Sequence, residues 1–148
     1  MIALLVFAAL STQPMVIPGD APAPGGMKLL PGYVHERLQG IDSIVGRIVK
    51  KEGLSISYEI GHVPKPGGPV FGGSFSDYPK NTPADQRLWY KEQTIAGREI
   101  HTALTKTKTL MVSFPASGIN FSTAIKSEED VAEALLLILS FQGLPAAR

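Results

Sequence analysis

The three histidines are the residues of this sequence whose chemistry is best suited to catalysis or metal binding. His35, His62 and His101 lie far apart, and none has a second histidine at the spacing that would place two ligands on one helix face. This spacing favours a surface or structural role for each of them. His62 differs in one respect, because it lies where a predicted strand enters a long loop and could there meet Asp77 or Asp85.

The other residue types that catalyse reactions lack the spacing that they would need. The glycine-rich stretch 67–73 lacks the Gly-Lys-Ser/Thr ending that binds phosphate, and neither Ser74 nor Ser117 lies in a Gly-x-Ser-x-Gly turn. Four acidic residues are isolated on predicted turns or outward strand faces, where we expect solvated charges: Glu52, Glu59, Glu92 and Glu99. The chain has no cysteine, which excludes thiolate chemistry and disulfides. The sequence therefore predicts no catalytic residue, no metal and no cofactor.

The charge of the chain argues against two classes of partner. There are 14 basic and 13 acidic residues, for a net charge of +1, with no block of like charge and no basic stripe interleaved with aromatic residues. We therefore expect neither nucleic acid nor an anionic membrane surface as a partner. A protein or a small molecule remains, and the sequence leaves the oligomeric state open.

The segment 61–86 is the best functional candidate in the sequence. It contains five glycines and five prolines without sustained periodicity, and a segment of this kind within a domain is typically a functional loop or disordered. Its aromatic side chains could contact a ligand or pin the loop to the sheet. The candidate binding residues in and beside it are His62, Phe71, Phe75, Asp77 and Tyr78.

Strand patterns surround this loop. Alternating or β-branched apolar residues predict strands at 45–49, 54–60, 88–95, 98–104, 109–114 and 119–125. The first of these is ambiguous, because its apolar residues also fit helical spacing. We favour a hairpin that pairs 45–49 with 54–60, since the residues are β-branched and a glycine-ended turn separates the two.

One long helix follows the last strand. Ser127 is a suitable N-cap, Glu128, Glu129 and Asp130 complement the helix dipole, and Gly143 is a suitable residue to end the helix. Its apolar arc is wide, which indicates burial, but the apolar run is too short to span a bilayer. The sequence thus predicts an α+β fold: an antiparallel meander sheet of about six strands with one strongly apolar C-terminal helix packed on one face.

The N-terminal residues predict export. Residues 2–10 form an unbroken apolar run, and the small residues Ala9 and Ser11 suit a signal peptidase. We therefore predict a signal peptide at 1–11, a disordered tether rich in Pro, Gly and Ala at 12–28, and a single domain at 29–148. Translation starting at Met27 would instead give a cytoplasmic structural domain.

Two functional hypotheses follow from these observations. The first is a small exported, non-enzymatic module that binds a partner through the loop 62–86 and the exposed face of the sheet. The second is a small hydrolase-like enzyme whose site is assembled by folding around His62, Asp77 and Asp85, with His101 as a further candidate.

Overall fold

The structure is a computed structural model that describes residues 26–38, 43–61 and 74–143. Its seven strands are β1 (Tyr33–Leu38), β2 (Ile44–Lys50), β3 (Ser55–Ile60), β4 (Arg87–Ile95), β5 (Arg98–Thr105), β6 (Thr109–Phe114) and β7 (Ile119–Ala124). Within the described ranges two α-helices accompany them, α1 (Tyr78–Asn81) and α2 (Glu128–Leu139). The α+β prediction is confirmed, with seven strands rather than six.

The additional strand is β1, at one edge of the sheet. It pairs only with β2, and Tyr33 is its one buried residue. Its middle residues, His35, Glu36 and Arg37, are polar, so the strand lacks the apolar alternation by which the others are recognised. The predicted hairpin of β2 and β3 is confirmed, with Ile48 opposite Ile56.

The sheet is antiparallel throughout, in the order β1-β2-β3-β7-β6-β5-β4. The two hairpin groups, β1 to β3 and β4 to β7, join where β7 pairs with β3. Three strands therefore separate β3 from β4, and the connection between them must cross about 19 Å of sheet at the usual strand spacing. This order explains why the chain needs a long loop at 61–86.

The core lies between α2 and one face of the sheet, here called the inner face. Alternate strand residues point to this face, and the fully buried ones include Ile48, Ile56, Val112 and Phe121. The helix contributes Ala134, Leu137 and Ile138 to the same core. The opposite face of the sheet is called the outer face.

Helix α2 begins where the sequence predicts and ends earlier. The Ser127 hydroxyl accepts a hydrogen bond from the Asp130 amide at 3.2 Å, which confirms the N-cap. The helix ends at Leu139, four residues before Gly143, which has a positive φ of 111°. Phe141 lies beyond the helix and is buried, with its ring centroid 4.9 Å from that of Phe114. The helix therefore ends just before the point where the Phe141 ring packs into the core, and not at Gly143.

Two further features complete the core. Met27 is buried in it, so core packing begins two residues before the predicted start of the domain at residue 29. Gly46 on β2 faces the Tyr58 ring, and a Cβ at this position would lie 2.3 Å from the phenol oxygen. Of the helices within the described ranges, none combines the length and apolarity needed to cross a bilayer.

Candidate functional site

The second part of the loop, residues 74–86, lies across the outer face on its way to β4, and it is called the crossing segment. It starts next to β3, because Gly61 has no side chain to keep the backbone of Phe75 away: a Cβ there would lie 2.8 Å from the Phe75 Cα and amide nitrogen. Asp77 then begins helix α1 by accepting a hydrogen bond from the Lys80 amide at 3.2 Å.

Beneath the crossing segment, one row of side chains runs straight across the outer face of all seven strands. The strand registers place these residues opposite one another, pair by pair: Leu38, Val45, Glu59, Asn120, Ser113, His101 and Glu92. The row is apolar at one end and polar along the rest. Because the crossing segment covers part of this face, the polar side chains beneath it need hydrogen-bond partners. The crossing segment supplies those partners.

Asp77 bonds to two residues of this row. Its Oδ2 lies 2.5 Å from Nδ1 of His101, and its Oδ1 accepts a hydrogen bond from the Ser113 hydroxyl at 2.9 Å. The second ring nitrogen of His101, Nε2, lies 2.7 Å from Oε1 of Glu99. The imidazole is buried, with 3% of its side chain exposed, whereas Asp77 keeps 12% and Glu99 58%. These four residues are called the Asp77 cluster.

Two opposing influences act on the pKa of His101. Burial on its own lowers the pKa of the imidazole, but the hydrogen bonds to Glu99 and Asp77 and the negative charges of Asp77 and Glu92 outweigh it. The net result is a pKa raised above the usual value. A charged imidazolium donates from both ring nitrogens, which is the arrangement that two carboxylates require.

This arrangement is poorly suited to catalysis. A histidine that activates a serine needs one ring nitrogen free to accept the hydroxyl proton, and in the Asp77 cluster both nitrogens of His101 face carboxylates. Ser113 bonds to Asp77 and is fully buried. Across the described ranges, no group of three or more acidic or histidine side chains is arranged to hold a metal ion. The bonds of Asp77 to His101 and Ser113 hold the crossing segment to the sheet.

Tyr78 provides a second attachment. Its amide donates to Oδ1 of Asn120 at 3.1 Å, and its hydroxyl donates to Oε2 of Glu59. The Asn120 side chain in turn donates to the carbonyl of Ser76 at 2.7 Å. The hydrogen bond to Glu59, followed by burial, raises the pKa of Tyr78 to about 12, so the phenol remains a donor at neutral pH.

A groove of about 240 Å³ opens on the outer face between the crossing segment and strands β1 and β2. It is called the outer-face groove. Tyr78 forms one wall, Leu38 and Val45 form the other, and the hydroxyls of Ser57 and Ser122 line it together with Glu59. Leu38 is 41% exposed although it is a large apolar residue. The groove thus combines an apolar wall with several polar groups, as ligand sites do.

A larger cleft of about 350 Å³ lies on another part of the molecule, near the start of α2. Leu104, Ile125 and Val131 contribute apolar surface to it, and Lys108 and Lys126 line it as well. The hydroxyl of Ser127, also in the lining, is already engaged as the helix cap. Volume alone favours this cleft, but we favour the outer-face groove because polar groups held in place by hydrogen bonds converge there.

The structure brings together three of the five predicted binding residues. Phe75, Asp77 and Tyr78 all lie in the crossing segment, whereas His62 and Phe71 are outside the described residues. The sequence offers His62 as a histidine that could meet Asp77 or Asp85, with His101 as a further candidate, and the structure shows that Asp77 contacts His101. Asp85 is exposed in the 3-10 turn Ala84–Gln86, and its carboxylate has no hydrogen bond or ion pair to the described part of the chain.

Sequence reasoning missed the strand residues of the site. Glu59 and Glu99 were expected to be solvated, and both instead bond to site residues, although Glu99 remains 58% exposed. Ser113 and Asn120 gave no signal of their own. The alternation of β5 puts Glu99 and His101 on one face, so their proximity could have been predicted. Their contact with Asp77 could not, because it depends on how the loop crosses the sheet.

Comparisons with known proteins give no family for this chain. No protein-family model, curated protein or solved structure matches it.

Proposed function

We propose that this protein is an exported, non-enzymatic binding module that takes its ligand in the outer-face groove. One observation carries the proposal. The crossing segment is attached to the sheet through Asp77 and Tyr78, and among the described residues nothing covers the outer face of β1, β2 and β3 beside it. The crossing segment and the exposed sheet face then act together, as the walls and the floor of one site.

The attachments favour binding because they form the groove in advance. A wall that is already ordered loses little conformational entropy when a ligand arrives, so more of the contact energy appears as affinity. Tyr78 is such a wall, because both its amide and its hydroxyl are bonded to the sheet. The volume of about 240 Å³ suits a small molecule or one side chain of a partner.

The Asp77 cluster supports a binding role over a catalytic one. Its histidine has no free ring nitrogen, and its serine hydroxyl is directed to an aspartate. The polar groups that line the groove itself are hydroxyls, an amide and one carboxylate, which suit recognition.

A fragment screen with matched variants tests the binding site. ¹⁵N-labelled protein is titrated with small fragments of positive, neutral and negative charge, and we expect binders to shift the amide signals of Ser57, Glu59 and Ser122. Ser57→Trp fills the groove and should remove these shifts. Thr94→Trp adds the same side chain to the same face at the far edge strand and should preserve them. Millimolar fragments that leave the groove amides unmoved would refute the proposal, as would unchanged binding by Ser57→Trp.

Export is a separate part of the proposal and has its own test. It rests on the apolar run 2–10 and on the small residues Ala9 and Ser11. Intact mass measurement of protein recovered from the producing cells should give a mature chain that begins near residue 12. A mature chain beginning at Met27 would contradict export.

A further inference from the structure

We infer that the ligand of the outer-face groove is a small organic amine, which places its ammonium group on Glu59 and its hydrocarbon part on Leu38 and Val45. This inference rests on the proposed function and adds the chemical class of the ligand to it. It follows from the hydrogen bonds of Glu59, from the lack of an ion pair to it within the described ranges, and from its place in the cross-strand row.

Glu59 has acceptor capacity that the described residues leave unused. Its Oε1 accepts from the Ser43 hydroxyl at 2.9 Å and its Oε2 accepts from the Tyr78 hydroxyl. A carboxylate offers about four lone-pair positions, so each oxygen retains one for a further donor. Both of these donors are neutral, and the described part of the chain adds no cation to them.

Two cations on this side of the sheet are paired with other carboxylates. Arg47, on the neighbouring strand β2, has its Nε 2.5 Å from Oε2 of Glu36, and Lys80 lies 3.7 Å from Glu92. Within the described ranges, no lysine, arginine or histidine forms an ion pair with Glu59. A half-buried carboxylate without a cation is costly, and a cationic ligand relieves that cost.

The apolar wall stands directly beside this carboxylate. Val45 is the cross-strand partner of Glu59, and Leu38 is the partner of Val45, so the three side chains lie in one row. Neighbouring positions in such a row lie about 5 Å apart, which a short hydrocarbon chain spans easily. A molecule with an ammonium group at one end and a hydrocarbon at the other therefore matches the row from Glu59 outward.

The size of the groove favours a small molecule over a protein segment. A peptide that binds an open sheet face makes contacts over many residues, whereas the groove has about 240 Å³ and is closed on one side by Tyr78. We therefore assign the ammonium group to a free amine rather than to a lysine side chain of a partner.

Titration with three molecules of the same length tests the inference. Hexylammonium, 1-hexanol and hexanoate are added to ¹⁵N-labelled wild-type protein at pH 7 and low salt. We expect hexylammonium to bind at least about tenfold more tightly than 1-hexanol, judged from the amides of Ser57 and Glu59, and hexanoate to bind least. Added salt should weaken the binding of hexylammonium and leave that of 1-hexanol unchanged.

Variants assign the effect to one carboxylate. Glu59→Gln keeps the shape and removes the charge, and it should lower the affinity for hexylammonium to that for 1-hexanol. Glu92→Gln makes the same change at the far edge of the outer face and should keep the affinity within twofold. The amide spectrum of each variant reports whether it is folded. If a variant does not fold, the comparison of the three molecules on wild-type protein still tests the inference.

Several results would overturn the inference. Equal binding of hexylammonium and 1-hexanol in the groove would refute the amine class while leaving the binding function intact. Tighter binding of the peptide acetyl-Ala-Lys-Ala-amide than of hexylammonium would assign the cation to a protein partner instead. If none of these probes moves the groove amides, the amine class is refuted, and the wider fragment screen decides the binding function.

Discussion

Replacing Asp77 with alanine is the most direct test of how the crossing segment is attached to the sheet. One carboxylate caps helix α1, bonds to the buried imidazole of His101 and accepts from the hydroxyl of Ser113. Its removal breaks all three interactions and leaves two polar groups of the sheet without that partner. We expect the variant to fold and to be clearly less stable than the wild type.

The expected change in the free energy of unfolding follows from the three interactions that are lost. Loss of an N-cap costs about 1 kcal/mol. Loss of a hydrogen bond to a charged group costs about 2 kcal/mol, and leaving the Ser113 hydroxyl unsatisfied adds about 1 kcal/mol. The total of about 4 kcal/mol agrees with the cost of removing one member of a buried ion pair. At roughly 4 °C per kcal/mol for a domain of this size, the melting temperature should fall by about 15 °C.

Urea denaturation monitored by circular dichroism measures this change, and two further variants divide it. Asp77→Ser keeps a capping oxygen and loses the charge, so it should recover about 1 kcal/mol of the loss. Asp85→Ala removes an exposed aspartate from the same crossing segment and should change the free energy of unfolding by no more than about 0.5 kcal/mol.

The loss of stability in Asp77→Ala should become smaller as the pH rises. The pKa of His101 is raised in the folded protein, so the stability that its protonation contributes is fully present below its unfolded pKa of about 6.5 and is lost as pH rises through the folded value. The difference in free energy of unfolding between wild type and Asp77→Ala should therefore narrow as the pH rises above about 6.5. A loss below about 1 kcal/mol, or a difference that widens with pH, would refute this account of the Asp77 cluster.

Three further predictions concern the inner side of the sheet, each measured by urea denaturation. Gly46→Ala should cost about 2 kcal/mol, because its Cβ would collide with the buried Tyr58 ring; a neutral result would show that the ring can move aside. Burial, and then the charge of Arg37, lower the pKa of His35 to about 4, so the contribution of His35 to stability should be constant above about pH 6.5 and fall as the pH drops towards 4. His35→Gln should flatten that decline, and an unchanged profile would assign it to other groups. Arg98→Met should cost about 2 kcal/mol, since the guanidinium donates to the carbonyl of Phe141 after α2, and a loss near zero would contradict that role.

The parts of the fold that could be predicted are those in which local pattern and burial agree. Strand β3 alternates apolar and polar residues, and its inner side chains Ile56 and Tyr58 are buried. Helix α2 carries its own N-cap, so its start at Ser127 needed no tertiary information. Strand β1 escaped prediction because an edge strand buries little and therefore needs little apolar pattern.

The site could be predicted only in part, because its residues come from separate segments. Asp77 and Tyr78 stood out as polar and aromatic residues in a long loop. Glu59 looked like an ordinary solvated residue, since nothing near it in the sequence shows that Tyr78 will lie over it. Strand order decides that contact, and strand order depends on pairings between distant residues.

By itself the sequence determined the class of fold, most of the elements and the segment in which to look for a site, because alternation, capping and glycine or proline content act over a few residues. The tertiary structure alone decided that β7 joins β3, that the loop must therefore cross the sheet, and that His101 meets Asp77. Those outcomes depend on which strands become neighbours. The free energy that selects the neighbours comes from burying the whole inner face at once, and no short stretch of sequence contains it.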